Sequence, residues 1–164
     1  MLLDPPGWSD WPQSLPHWPY VQAVDAALTG QGIPPGIVRV NCTAPRYGRT
    51  MYMILVWDVS RTGGRGGVRL NWEEETGWAY GLLDLTWREP LWAPNKLGLH
   101  SDDAIAGGSV TALHRTFADP HEVAAAAGHL VHHWRPPGGA YDTPWHQEEE
   151  VRAAITAFRQ HTTG

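Results

Sequence analysis

A single cysteine, Cys42, excludes an intramolecular disulfide. One lysine stands beside eleven arginines in a chain of net charge −5. Cations this sparse and scattered lack the clustered footprint of a nucleic-acid binder, and the acidic balance disfavours anionic membrane surfaces. No run approaches the ~18 apolar residues that a spanning helix needs. The opening MLLDPPGW has neither a basic n-region nor an apolar h-region, so no secretory leader is expected. The expected setting is cytoplasmic, and the Asn41-Cys42-Thr43 sequon is read as unused. Catalytic signatures are missing too. There is no GK[ST], no GxSxG and no HExxH, and neither Gly63-Gly64-Arg65-Gly66-Gly67 nor Gly107-Gly108 stands between a strand and a helix as a phosphate loop does. No cofactor is implied.

What the chain has in excess is tryptophan, ten against two phenylalanines. Indole supplies a large apolar area and an N–H that wants a partner, so it suits cores and half-wet grooves alike. With 164 residues, 42% hydrophobic and 18% charged, one ordinary domain can bury a core without metal or disulfide help.

Residues 1–18, rich in proline and tryptophan, read as an irregular arm, and 19–164 as one α+β domain. In PYVQAVDAALT, Val21, Val24 and Leu28 make one apolar stripe behind Pro19, which predicts a helix ended by Gly30 and Gly32. Ile37 to about Thr43 reads as a strand. TMYMILVWDVS (50–60) is apolar on both faces, hence a strand covered on both sides. Val68–Trp72 and Trp78–Leu85 flank the turn EEETG as a hairpin in which Trp72 and Trp78 can pair. Residues 86–109 read as a long loop, and Val110–Phe117 as a last strand. Asp119-Pro120-His121-Glu122 opens a helix to about Trp134 with Asp as N-cap and Glu122 closing a capping box. A final helix is expected from Thr143-Pro144 to about Gln160, with Val151, Ala154, Ile155 and Phe158 inward and Glu148–Arg152 as an i,i+4 pair. The expectation is an antiparallel sheet of four or five strands with one N-terminal and two C-terminal helices packed on it.

Three stretches, PYVQAVDAAL, VRLNWEEETGWAYGLLD and ADPHEVAAAAGHLV, together resemble a family of small uncharacterised actinomycete proteins. Its pattern is a leading helix, a W-(D/E)-E-x-x-G-W hairpin, here Trp72-Glu73-Glu74-Glu75-Thr76-Gly77-Trp78, and a D-P-x-x-V-A helix start, here Asp119 to Ala124. The resemblance covers about residues 19–134. It implies a bacterial cytosolic origin and brings no catalytic residues.

Several residues could carry chemistry. His129 and His133 sit one helical turn apart, the spacing at which two imidazoles hold one metal, with His146 as a distant third. Against this stands the plain reading of a solvated helix end, where cations suit the dipole. His114 and Asp58 are acid–base candidates, although Asp58 fits a strand's exit to solvent. Glu73, Glu74 and Glu75 read as a solvated turn, and Cys42 as an inert thiol. Arg46, Arg49, Arg61, Arg65 and Arg69 fall in neighbouring turns and could form a local positive edge. Trp87 and Trp92, in a loop where core burial is least assured, could line an aromatic groove with Trp78, Tyr80 and Arg88. The reading that follows is a non-catalytic binding or adaptor protein that uses this groove and the arm to meet a protein partner or a second copy of itself, with a small-molecule ligand as a further option. The alternatives are a small cofactor-free or metal-assisted enzyme of specialised metabolism and a nucleic-acid-associated protein.

Overall fold

The structure is a computed structural model that describes residues 13–83 and 104–162. The elements are α1 (Trp18–Gly30), β1 (Ile37–Cys42), a 3₁₀ turn (Pro45–Tyr47), β2 (Met51–Trp57), β3 (Gly67–Glu73), β4 (Gly77–Leu83), β5 (Ala104–Ser109), α2 (Pro120–His133) and α3 (Glu148–Thr162). All five strands are antiparallel in the order β1-β2-β3-β4-β5. The fold is α+β, with one helix before the sheet and two after it.

Strand alternation sorts the side chains. The register sets Met53 opposite Trp72, Trp72 opposite Trp78, and Leu55 opposite Leu70 and then Tyr80. This face joins Tyr20, Val21, Val24 and Leu28 of α1 and Val123, Ala127 and Leu130 of α2 in one core. Tyr20 is its hub, with ring centroids 5.3 Å from Trp72, 5.0 Å from Phe117 and 4.9 Å from Trp145, and its hydroxyl donates to Ala118 O at 2.8 Å. Burial drives the Tyr20 pKa up, so that hydroxyl stays protonated. Trp72 donates its indole N–H to Thr116 O and Trp57 to Ile33 O, which satisfies two buried donors. The opposite face carries Tyr52, Ile54 and Val56 of β2 beside Arg69, Asn71 and Glu73 of β3. Ile54, Val56 and Arg69 are buried there, so β2 is covered on both sides as its composition predicts.

Several local expectations give way. The last strand is Ala104–Ser109, not Val110–Phe117. The stretch AIAGGS carries little β-propensity, but its glycine is needed: a Cβ on Gly107 would lie 2.7 Å from Tyr80 O across the ladder. Val110–Phe117 instead makes turns that drop Val110, Leu113 and Phe117 into the core. The helix expected from Thr143 begins at Glu148, because Thr143 is held elsewhere: its N–H and hydroxyl both donate to Glu122. Glu122 therefore does not close a capping box, and Asp119 caps α2 alone by accepting from His121 N at 2.9 Å. Ala154 is exposed, and α3 docks through Val151, Ile155 and Phe158, with Arg152 over the Phe117 ring at 4.8 Å and 2.9 Å from Glu148. Glu74 is buried, unlike its neighbours Glu73 and Glu75. It accepts from Met51 N at 2.9 Å and pairs with Arg159, tying the β3–β4 turn to the end of α3. At the N-terminal side Leu15, His17 and Trp18 are buried.

Candidate functional site

The second face of the sheet holds the site. Tyr52, Ile54, Asn71 and Glu73 project from neighbouring strands and line a cavity of about 320 Å³. The connection from β1 to β2 forms its other wall, with Cys42, Thr43, Ala44 and Tyr47. That connection is stiffened locally. Thr43 Oγ1 donates to Tyr47 O at 3.3 Å and accepts from Thr50 N at 2.8 Å, and Gly48 closes the 3₁₀ turn at φ 82°. The result lifts the Tyr47 ring into solvent at 64% exposure, with the Arg46 guanidinium 4.8 Å above it. A cavity of this size, walled by two tyrosines and an isoleucine with few polar groups, has the character of a small-ligand pocket.

The polar groups have distinct states. Asn71 is half-buried, and its Oδ1, which has no accessible surface, lacks a hydrogen-bond partner among the described residues, an arrangement that ordinarily costs about 1–3 kcal/mol. Glu73 is exposed at the mouth, and Thr76 Oγ1 donates to its Oε2 at 3.1 Å. Burial pushes the Tyr52 phenol up, with Arg39 opposing, so the phenol remains a donor at neutral pH. Burial likewise pushes the Cys42 thiol up, against the pull of Arg49 and Arg159, and a protonated thiol is a poor nucleophile. The Thr43 hydroxyl is engaged on both sides. The pocket can therefore stack on flat groups and can both donate, from the Tyr52 phenol, and accept, at the Glu73 carboxylate, but its thiol and its Thr43 hydroxyl are not activated. No family model, curated protein or solved structure matches this chain. Its functional reading rests on these side chains.

The residues singled out from sequence lie elsewhere. Trp78 is buried against Tyr20 at 6.3 Å, and Tyr80 packs half-buried on the same core face, away from the pocket. Trp87, Arg88 and Trp92 lie outside the described residues, as do Trp8 and Trp11. Asp58 follows β2 and shapes the turn after it, accepting from Ser60 N at 3.0 Å and Arg61 N at 3.2 Å, with Arg61 Nε 3.8 Å away. His114 is exposed in the segment whose Thr116 lies against Gly77, toward the other end of the sheet from Asp58. The two are not brought together. His129 and His133 do meet, with ring centroids 4.7 Å apart. His146 instead shares a second cavity, of about 440 Å³, with α1 and the first turn of α2, at the far end of a helix ~20 Å long. Among the described residues no three His, Cys, Asp or Glu side chains form a metal-binding group. The five arginines do not form one edge either. Arg46 and Arg49 precede β2 while Arg61 and Arg65 follow it, and Arg69 is buried.

Sequence reasoning passed over Asn71, Tyr52 and Tyr47. The alternation in VRLNWE and TMYMILVW does place Asn71 and Tyr52 on the faces opposite Trp72 and Met53. Their meeting depends on the strand register, and the exposure of Tyr47 on a three-residue turn.

Proposed function

We propose that this chain is a non-catalytic binding protein whose binding site is the pocket on the second face of the sheet. The observation that carries the reading is the cavity of about 320 Å³ walled by Tyr52, Ile54 and the Tyr47 ring, which stands 64% exposed at its edge. A concave site of this size, lined by aromatic and aliphatic side chains with a few polar groups among them, is the usual form of a small-molecule site. The aromatic groove expected around Trp78 and Tyr80 becomes, in this reading, the tyrosine-walled pocket of Tyr47 and Tyr52. The primary ligand is a small molecule, because the cavity is concave and of single-ligand size.

The test is a saturation-transfer NMR screen of a small aromatic fragment library against the wild type and Tyr47→Ala. Tyr47 is solvent-exposed, so its truncation leaves the fold intact. Hits that lose their signal in Tyr47→Ala support the reading. A hit list that is empty, or unchanged in the variant, would contradict it.

A further inference from the structure

We infer that His129 and His133, at the end of α2, form a two-imidazole site for a late divalent transition-metal ion, Cu²⁺, Ni²⁺ or Zn²⁺, whose remaining coordination positions are filled by water. The site shares no residue with the pocket and does not depend on it.

The helix end builds the site. Residues four apart on a helix are neighbours on one face, and these two rings have centroids 4.7 Å apart at an interplanar angle of 55°. His129 is half-buried and His133 exposed. The chain then reverses at Trp134, with φ 53° and ψ 39°, a left-handed conformation that helix ends usually give to glycine. The indole holds that reversal in place, since Trp134 Nε1 donates to Gly67 O at 3.2 Å. The reversal brings the Arg135 carbonyl to His129, whose Nδ1 donates to it at 3.3 Å. A carbonyl can only accept, so the proton of the neutral ring sits on Nδ1 and Nε2 keeps its lone pair. A backbone carbonyl on the other ring nitrogen is a usual outer partner of a metal-ligating histidine. Two nitrogens each ~2.0–2.1 Å from one ion lie roughly 3.3 Å apart. Rings at the observed separation reach that by rotation of the exposed His133 side chain.

Charge decides which ion enters. Arg65, Arg135 and His132 act on His133, and among the described residues no carboxylate does. Arg65 is tethered, because it donates to His132 O. Mg²⁺ and Ca²⁺ want carboxylate and carbonyl oxygens and gain nothing against these cations. Cu²⁺, Ni²⁺ and Zn²⁺ bind imidazole nitrogen, in the affinity order Ni²⁺ < Cu²⁺ > Zn²⁺. The partial negative charge of a helix C-terminus favours a bound cation. Among the described residues no third His, Cys, Asp or Glu joins the pair, so the ion keeps open positions.

The test titrates the intact, chelator-stripped chain with CuCl₂, NiCl₂, ZnCl₂ and MgCl₂ by calorimetry, with imidazole ¹H–¹⁵N spectra recorded for Zn²⁺. The three transition ions are expected to bind one per chain, Cu²⁺ the tightest, with His129 and His133 resonances moving first. Mg²⁺ is expected to give no saturable heat. His129→Ala and His133→Ala should each weaken Zn²⁺ binding about tenfold or more, since even the loss of an outer partner costs that much at metal sites. His132→Ala should leave it unchanged. His133 is exposed, so its variant keeps the fold and covers the case in which His129→Ala loosens the Arg135 turn. Zn²⁺ binding that survives His133→Ala, or Mg²⁺ binding equal to Zn²⁺, would overturn the inference. So would the absence of any saturable site for Cu²⁺ and Ni²⁺, and His129 would then serve only to hold the Arg135 carbonyl at the helix end.

Discussion

His17 should make this protein acid-sensitive. Its imidazole lies at the start of α1, fully buried and stacked 5.7 Å from Trp72. Nε2 donates to Tyr52 O at 3.1 Å, which fixes the tautomer and leaves Nδ1 as a bare acceptor with no partner among the described residues. A proton can add only at Nδ1, in a site that cannot solvate the charge. Burial accordingly pushes the pKa from its ordinary 6.5 down to about 4, while the Tyr52 carbonyl opposes the fall. The sign follows from linkage. Above pH 6.5 both the folded and unfolded states hold a neutral ring. Between pH 6.5 and 4 the unfolded state binds the proton and the folded state does not, so stability falls as pH falls. Each pKa unit is worth 1.36 kcal/mol, so the full loss is about 3 kcal/mol, reached below pH 4, with a slope near 1.2 kcal/mol per pH unit around pH 5. His17→Gln keeps a donor for Tyr52 O and cannot titrate. Urea unfolding of both proteins from pH 7.5 to 4 should show curves that diverge by that amount toward acid. Parallel curves would refute a buried neutral His17.

Other perturbations test the packing. Arg159→Ala strips the partner from Glu74, whose side chain is 8% exposed, and should cost about 1–3 kcal/mol in urea unfolding. An effect below about 0.5 kcal/mol would mean that the pair is solvated. Gly66→Ala would drive a Cβ to 2.6 Å from the Trp134 ring and 2.7 Å from Leu83 O at φ +146°, so a loss of about 2–3 kcal/mol is expected by thermal unfolding. An unchanged melting temperature would show that Trp134 is not seated there. Tyr20→Phe leaves Ala118 O without its donor and should cost about 1–2 kcal/mol, read by the same method.

The larger elements were legible because their signals are local. The α1 stripe, the Asp119 cap, the doubly apolar β2 and the Trp72–Trp78 hairpin each follow from spacing within about ten residues, and each stands in the structure. What failed depends on partners distant in sequence. Glu74 reads as solvent-facing until Arg159 arrives from 85 residues away. Thr143-Pro144 looks like a helix start until Glu122 captures Thr143. Glycine-rich β5 is a strand only because β4 supplies the ladder. The pocket was opaque for the same reason: three strands and a turn meet there, and no short motif marks it. Tryptophan abundance drew attention to Trp78, which the fold uses as core.

The central claim is the pocket beside Asn71, and a ¹⁵N heteronuclear titration with benzamide tests it most directly. The account predicts saturable shifts concentrated at Thr43, Tyr47, Tyr52, Asn71 and Glu73, with the Asn71 side-chain amide among the largest. Shifts centred instead on Ala23, Gln31 and His121 around the other cavity, or no saturable shifts at all, would contradict it.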